Sequence, residues 1–192
     1  MTRLRLPRTL RLDPSDTLVF PRAAEPGEWA VTGTFLFLEA DPAALSGRER
    51  AAFRAGFLGI ESFGFSTLVV VSEASEAERA LAVEALAAQI HDRLGAPDRE
   101  SARAAAREEI AVAASLCQPP VGTVLALHRT AEGGEVRERF RALSPRAEAV
   151  PGADPRHAFA RAFDFYETDE DGADAGAGER VDLAGLLGGS PR

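Results

Sequence analysis

Apolar and polar positions change rhythm several times along the chain, and each rhythm predicts an element. Residues 9–22 (TLRLDPSDTLVFPR) predict two short strands around the turn Asp13-Pro14-Ser15-Asp16. Residues 29–38 (WAVTGTFLFL) predict a third strand, given β-strand character by Trp29, Val31, Phe35 and Phe37. Residues 63–72 (FGFSTLVVVS) predict another, buried on both faces over Leu68-Val69-Val70-Val71. The runs 122–130 (GTVLALHRT) and 135–143 (EVRERFRAL) alternate on either side of Ala131-Glu132-Gly133-Gly134, which predicts an antiparallel hairpin.

Between these runs the period becomes helical. Ser46-Gly47-Arg48-Glu49 is a capping box opening a helix to about Phe57. Ser75-Glu76-Ala77-Glu78 repeats it and opens a helix to about Leu94, with Val83, Leu86, Ile90 and Leu94 as its inward stripe. Gly95 and Pro97 end that helix, and Asp98 caps the next, which runs to about Leu116 with Ile110, Ala113 and Cys117 on one line. A last short helix is predicted over 156–165, from Phe159 and Phe163. The order β-β-β-α-β-α-α-β-β-α lacks regular βα alternation. It predicts an α+β fold, a mainly antiparallel sheet with helices packed on one face.

Charge adds a division. The chain has 192 residues, 45% apolar, enough to bury a core without disulfide or metal staples. Its formal charge of −8 is uneven, because residues 164–182 hold eight carboxylates against Arg180 alone. From residue 168 onward Asp, Glu, Gly and Ala dominate, and burial cannot offset the entropy of ordering such a segment. The expected organisation is one α+β domain over 1–166 and an acidic, disordered tail over 167–192.

Missing residue types exclude several chemistries. All 22 basic residues are arginine, and the chain has no lysine and no asparagine. A P-loop, a Schiff base and a lysine general base all need lysine, and N-linked glycosylation needs asparagine. Cys117 is the only cysteine, so no intrachain disulfide or paired-cysteine metal motif is available, and a reducing compartment fits. The first residues alternate arginine with leucine and do not read as a secretory signal. The longest aliphatic runs are too short to cross a bilayer. The expected location is cytoplasmic, without membrane association.

Two segments stand out as candidate sites. Arg137, Arg139 and Arg141 alternate, so they project from one side of a strand, and Arg129 on the partner strand is expected near them. Such a row suits a phosphate, a carboxylate or an acidic protein segment. The plainer reading is a solvated face that discourages edge pairing. Nucleic acid is disfavoured, because the chain is acidic and its arginines are not interleaved with stacking aromatics. The acidic tail itself is a further candidate to fold back onto this row. The second segment runs from Phe53 through Phe57, Glu61 and Phe63 to Phe65, interspersed with glycines. It reads as a pocket or oligomer interface, or more plainly as a tight connection plugging the core.

No catalytic residue, metal or cofactor is assigned. Cys117 continues an apolar stripe and reads as a packed thiol. His91, His128 and His157 share no metal-ligand spacing, and there is no nucleophile elbow or dinucleotide fingerprint.

The stretches RTLRLDPSDTLVF, AAEPGEWAV, FRAGFLGIESFGFSTLVVV and EEIAVAASLCQPPVGTVLALHRT resemble an uncharacterised bacterial family, a domain of unknown function. The resemblance covers residues 8–143 and leaves the acidic tail outside. It implies genes placed near molybdenum-type oxidoreductases and a lipoate-ligase-like protein, hence an accessory or assembly role, and it assigns no residue a task.

The leading expectation is therefore a non-catalytic accessory or maturation factor acting through a protein partner, in line with a redox enzyme as client. The alternative is a small-molecule or anion-binding domain, or an enzyme, with Arg129, Arg139, Glu61 and His128 around a pocket. A homo-oligomer built on the aromatic segment is a third reading.

Overall fold

The structure, a computed structural model, describes residues 4–133, 135–145 and 163–168, with 144, 145 and 163–168 described as strand backbone. In chain order the elements are β1 (Arg5–Leu10), α1 (Ser15–Val19), β2 (Ala30–Val31), a 3-10 turn (Thr34–Phe37), α2 (Gly47–Ala55), β3 (Phe57–Gly59), β4 (Phe65–Ser66), β5 (Leu68–Glu73), α3 (Glu76–Leu94), α4 (Arg99–Ser115), β6 (Val124–Glu132), β7 (Glu135–Pro145) and β8 (Phe163–Thr168). The fold is α+β.

Every named strand pair is antiparallel. A five-stranded sheet has the order β1-β5-β6-β7-β8, and a three-stranded sheet the order β2-β3-β4. A bridge between Arg8 and Trp29 joins the free edge of β1 to the chain entering β2, supported by the Thr9 amide donating to the Glu28 carbonyl at 2.9 Å. The strands therefore form one hydrogen-bonded path from β8 to β4, and that path curls back on itself. Val69, Val71, Leu125, Leu127, Phe140 and Ala142 of the large sheet share a core with Ala30 and Phe57 of the small one.

Alternation sends the intervening residues the other way. Val31, Leu58 and Ile60 join Leu6 and Trp29 beneath α3 and α4, against Leu86, Ile90, Ala106 and Ile110. All three residues of β3 are buried, so this short strand lies between the large sheet and the helical layer. A third cluster, Phe20, Phe37, Ala52 and Phe53, packs beside α2.

The helix starts follow their caps. The Ser75 hydroxyl accepts from the Glu78 amide at 3.2 Å while Glu78 accepts from the Ser75 amide at 2.8 Å. Asp98 accepts from the Ser101 amide at 2.7 Å. At Ser46 both amide and hydroxyl donate to Glu49. Gly95, at φ 71°, ends α3 in the left-handed conformation that glycine adopts without strain.

Several expectations are corrected. The second strand expected within 9–22 is helix α1, because Asp16 turns inward and accepts from the Thr67 hydroxyl at 2.6 Å and from its amide. The strand expected over 29–38 stops at Val31. Gly33 then takes φ 75°, where a Cβ would lie 2.7 Å from that of Leu58, and Thr34–Phe37 coils into the 3-10 turn. Residues 63–72 break into β4 and β5 at Thr67, the residue held by Asp16. Val69 and Val71 are buried, but Leu68 and Val70 are only half-buried, so β5 is not dry on both faces. Leu94 is exposed, outside the stripe that Val83, Leu86 and Ile90 form. Residues 163–165, expected to end a helix, belong to β8, and 156–162 lie outside the described residues. Glu167 and Thr168 are strand residues of β8, and the rest of the expected tail lies outside the described residues.

Candidate functional site

The β6–β7 ladder separates the arginines into two environments. Its register runs from Val124 opposite Leu143 to Glu132 opposite Glu135. Arg129 follows Leu125 and Leu127 on the inner face and lies opposite Glu138. His128 lies opposite Arg139 and Thr130 opposite Arg137, on the outer face. Arg129 therefore does not join Arg137, Arg139 and Arg141 as expected. Strand parity places it on the other side of the sheet.

Arg129 is 0% exposed, and all three of its side-chain nitrogens are engaged. Nε donates to the Thr34 hydroxyl at 2.7 Å and to Glu138 Oε1 at 3.0 Å. Nη1 donates to the carbonyls of Phe53 at 2.9 Å and Gly56 at 3.1 Å, and Nη2 donates to the Thr32 carbonyl. The Thr34 hydroxyl in turn donates to Glu138. A positive charge so placed faces the carbonyl end of α2 and the negative pole of its dipole. Burial pulls the Arg129 pKa down from its ordinary value, opposed by the charges of Glu138 and Glu109. The group thus staples α2, the 32–34 segment and the hairpin, and its donors point at the protein's own carbonyls and at Thr34 and Glu138.

Glu109 of α4 is the counterpart that the sequence reading missed. Burial first, then the charges of Glu138 and Glu108, push its carboxyl up to about 7, with Arg129 working the other way.

The outer face is different in kind. Arg137, Arg139, Arg141 and His128 are all exposed on neighbouring strands. Arg137 has a surface ion pair with Glu132 at 3.3 Å. Strand β8 continues this sheet beyond β7, with Glu167 in register opposite Arg141. Among the described residues, β8 pairs with β7 from Phe140 to Pro145. Among the described residues, the half of β7 from Glu135 to Arg139 has no strand on its far edge.

The aromatic segment is divided among the cores. Phe53 packs with Phe20 and Phe37, Phe57 lies between the sheets, and half-buried Phe65 joins Phe20 and Phe37 in ring contacts. Phe63 takes φ 54° in the β3–β4 turn and lies beneath the Arg93 guanidinium, 5.1 Å from its ring centroid. Glu61 is exposed in the same turn, with its carbonyl accepting from Gln89 at 3.0 Å. The grouping of Arg129, Arg139, Glu61 and His128 around one pocket is not what the fold assembles. Arg129 is inside, Arg139 and His128 are on the opposite face of the sheet, and Glu61 is beside α3.

That turn has its own buried carboxylate, Glu28. Its Oε2 accepts from the amides of Glu61 and Ser62 at 2.7 and 2.8 Å, and its Oε1 accepts from the Glu25 amide at 2.7 Å and from the Ser62 hydroxyl. A Cβ on Gly59 would lie 2.4 Å from Oε1, so the turn closes around the carboxylate only because residue 59 has none.

Cys117 is buried, and burial pushes its thiol up to about 12, far from a reactive thiolate. Among the described residues no group of His, Cys, Asp and Glu is placed to hold a metal ion. A shallow depression of about 240 Å³ lies between α3 and α4, lined by Glu76, Arg79, Ala80, Val83, Glu84 and Arg107. No helix among the described residues is long and apolar enough to cross a membrane.

These features define an α+β protein whose buried charges are bonded within its own chain and whose outer hairpin face presents arginines. A family profile matches residues 3–153, and the chain belongs to that family, DUF6505, a family of unknown function. No curated protein and no solved structure matches it.

Proposed function

We propose that the protein is a non-catalytic accessory or maturation factor that works by contact with an acidic surface of a larger protein. The observation carrying this reading is the exposed row of Arg137, Arg139 and Arg141 beside His128 on the outer face of the β6–β7 hairpin. Guanidiniums fixed about two residues apart on a rigid ladder match carboxylates spaced along an extended segment or helix face. The interior charged groups, by contrast, have their hydrogen bonds directed at the chain itself. On the same reading the client is a bacterial redox enzyme, the setting that the family resemblance implies, and the single cysteine fits a cytoplasmic location.

Affinity capture with the full chain and with Arg137→Glu/Arg139→Glu tests this. The proposal expects one protein held by the native chain at low salt and lost on charge reversal, with the fold unchanged by circular dichroism. Identical captured sets from both chains contradict it. Saturable thermal stabilisation by a single phosphate- or carboxylate-bearing metabolite would instead favour a small-anion site on the same face.

A further inference from the structure

Helices α3 and α4 pack against each other as a hairpin joined by residues 95–98. Across their seam Glu84 accepts from Arg103, from Nε at 2.6 Å and from Nη2 at 2.9 Å. One turn back along α3 from Glu84 is Ala80, and one turn on along α4 from Arg103 is Arg107. Ala80 and Arg107 line the same depression of about 240 Å³, with Glu76, Arg79, Val83 and Glu84. Where a second carboxylate would repeat the Glu84–Arg103 pair, the chain has a methyl group and a hollow.

Two unmatched guanidiniums border that hollow. Arg107 is exposed and makes no hydrogen bond or ion pair among the described residues. Its charge still reaches the seam, since the bond from Arg103 holds the Glu84 carboxyl below its ordinary value and the charges of Arg103 and Arg107 add to that. Arg79 Nε is buried without an acceptor, and Nη1 only approaches Glu76 Oε2, at 3.7 Å. Arg5 and Arg11 also have buried Nε groups without acceptors, but their terminal nitrogens donate to the carbonyls of Gln118, Pro119 and Ala24. Arg79 has no such bond among the described residues. A buried donor left unmade is costly, so an acceptor entering the hollow relieves it.

Charge selects the acceptor. Arg79, Arg103 and Arg107 face Glu76 and Glu84, while Arg99 and Glu100 beside them offset each other. One positive charge remains, which a monocarboxylate matches and a phosphate dianion exceeds. Ala80 and Val83 add an apolar lining that suits a short hydrocarbon stem. We propose that the α3–α4 hollow binds a single carboxylate on a short apolar stem, held by Arg79 and Arg107 where Ala80 leaves the Glu84–Arg103 pattern unrepeated. The planar fork of each guanidinium fits a carboxylate edge. The site is built from α3 and α4 alone and does not depend on a client for the hairpin arginines.

Titration of the full chain with propionate, followed by NMR of backbone amides and arginine Nε–H groups, tests this. A capped Ala-Glu-Ala peptide is the second titrant, and the tighter of the two identifies the source as a free acid or a protein side chain. The proposal expects saturable shifts centred on residues 79–84 and 107, and weaker binding of inorganic phosphate. Ala80→Glu supplies the missing carboxylate from within. It should weaken binding about tenfold, the order of one charged hydrogen bond, without lowering the melting temperature, and Arg107→Gln should weaken it as much. Arg137→Glu/Arg139→Glu should leave it unchanged. Shifts that never saturate, binding that survives Ala80→Glu, tighter binding of phosphate, or loss in the hairpin variant overturns it.

Discussion

Arg129 and Glu138 face each other across the β6–β7 ladder, with Nε 3.0 Å from Oε1 on the inner side of the sheet, while their sequence neighbours His128 and Arg139 face each other on the outer side. One cross-strand step thus separates an arginine that holds the fold from an arginine that is free to meet solvent or a partner. Stability and contact are assigned to opposite faces of the same two strands.

Replacing Arg129 should cost more than any other single arginine. Arg129→Met takes from Glu138 its ion-pair partner and strands the carbonyls of Thr32, Phe53 and Gly56. Removing one member of a buried ion pair typically costs about 3–5 kcal/mol. Arg139→Glu, on the exposed face, should stay within about 0.5 kcal/mol of the native chain. Urea unfolding of both variants checks the contrast.

Glu109 should make stability depend on pH in an unusual direction for a carboxylate. Its folded pKa of about 7 lies above its ordinary 4.5, so between those values the folded chain holds a proton that the unfolded chain has released. Its contribution to stability therefore falls as pH rises through that window and stays lowered above it. Allowing for solvent screening at this partly exposed group, the effect is about 1–3 kcal/mol. Glu109→Gln removes it, so the variant should melt several degrees above the native chain at pH 8 and close to it at pH 5. Thermal melts at the two values read this directly.

Glu28 accepts only from N–H and O–H donors, so Glu28→Gln turns one acceptor into a donor facing donors. The expected loss is about 1–3 kcal/mol, the cost of leaving buried polar groups unmatched. Gly64→Ala should be at least as damaging, since its Cβ would lie 2.4 Å from the Ala23 carbonyl oxygen, a backbone atom that cannot swing aside. Gly47→Ala, where nothing lies within 4 Å, is the control and should be neutral. Denaturation midpoints of the three variants settle the order.

The sequence conveys local geometry well and long-range assignments less well. The helices at Ser46, Ser75 and Asp98 are legible because a cap is a contact between residues three apart. The hairpin is legible because its glycines and two alternating runs are contiguous. Residues 9–22 and 29–38 mislead for the opposite reason. Their apolar alternation is real, but Asp16 is held by Thr67, and Gly33 is pressed against Leu58, contacts that no local window contains. The inward position of Arg129 is legible in the alternation Leu125-Leu127-Arg129, but its charge argues locally for the outer face. Glu28 and Glu109 give no local sign, because what makes each of them unusual comes from distant segments.

The most direct measurement of the contact account is site-specific photo-cross-linking in the native cell, with the probe at His128 on the arginine face or at exposed Leu81 on α3. The account expects a discrete adduct to a second protein from position 128, attached within an acidic segment of that protein, absent from position 81 and lost with Arg137→Glu/Arg139→Glu. The same adducts from both positions, an adduct that survives charge reversal, or none from position 128, would contradict it.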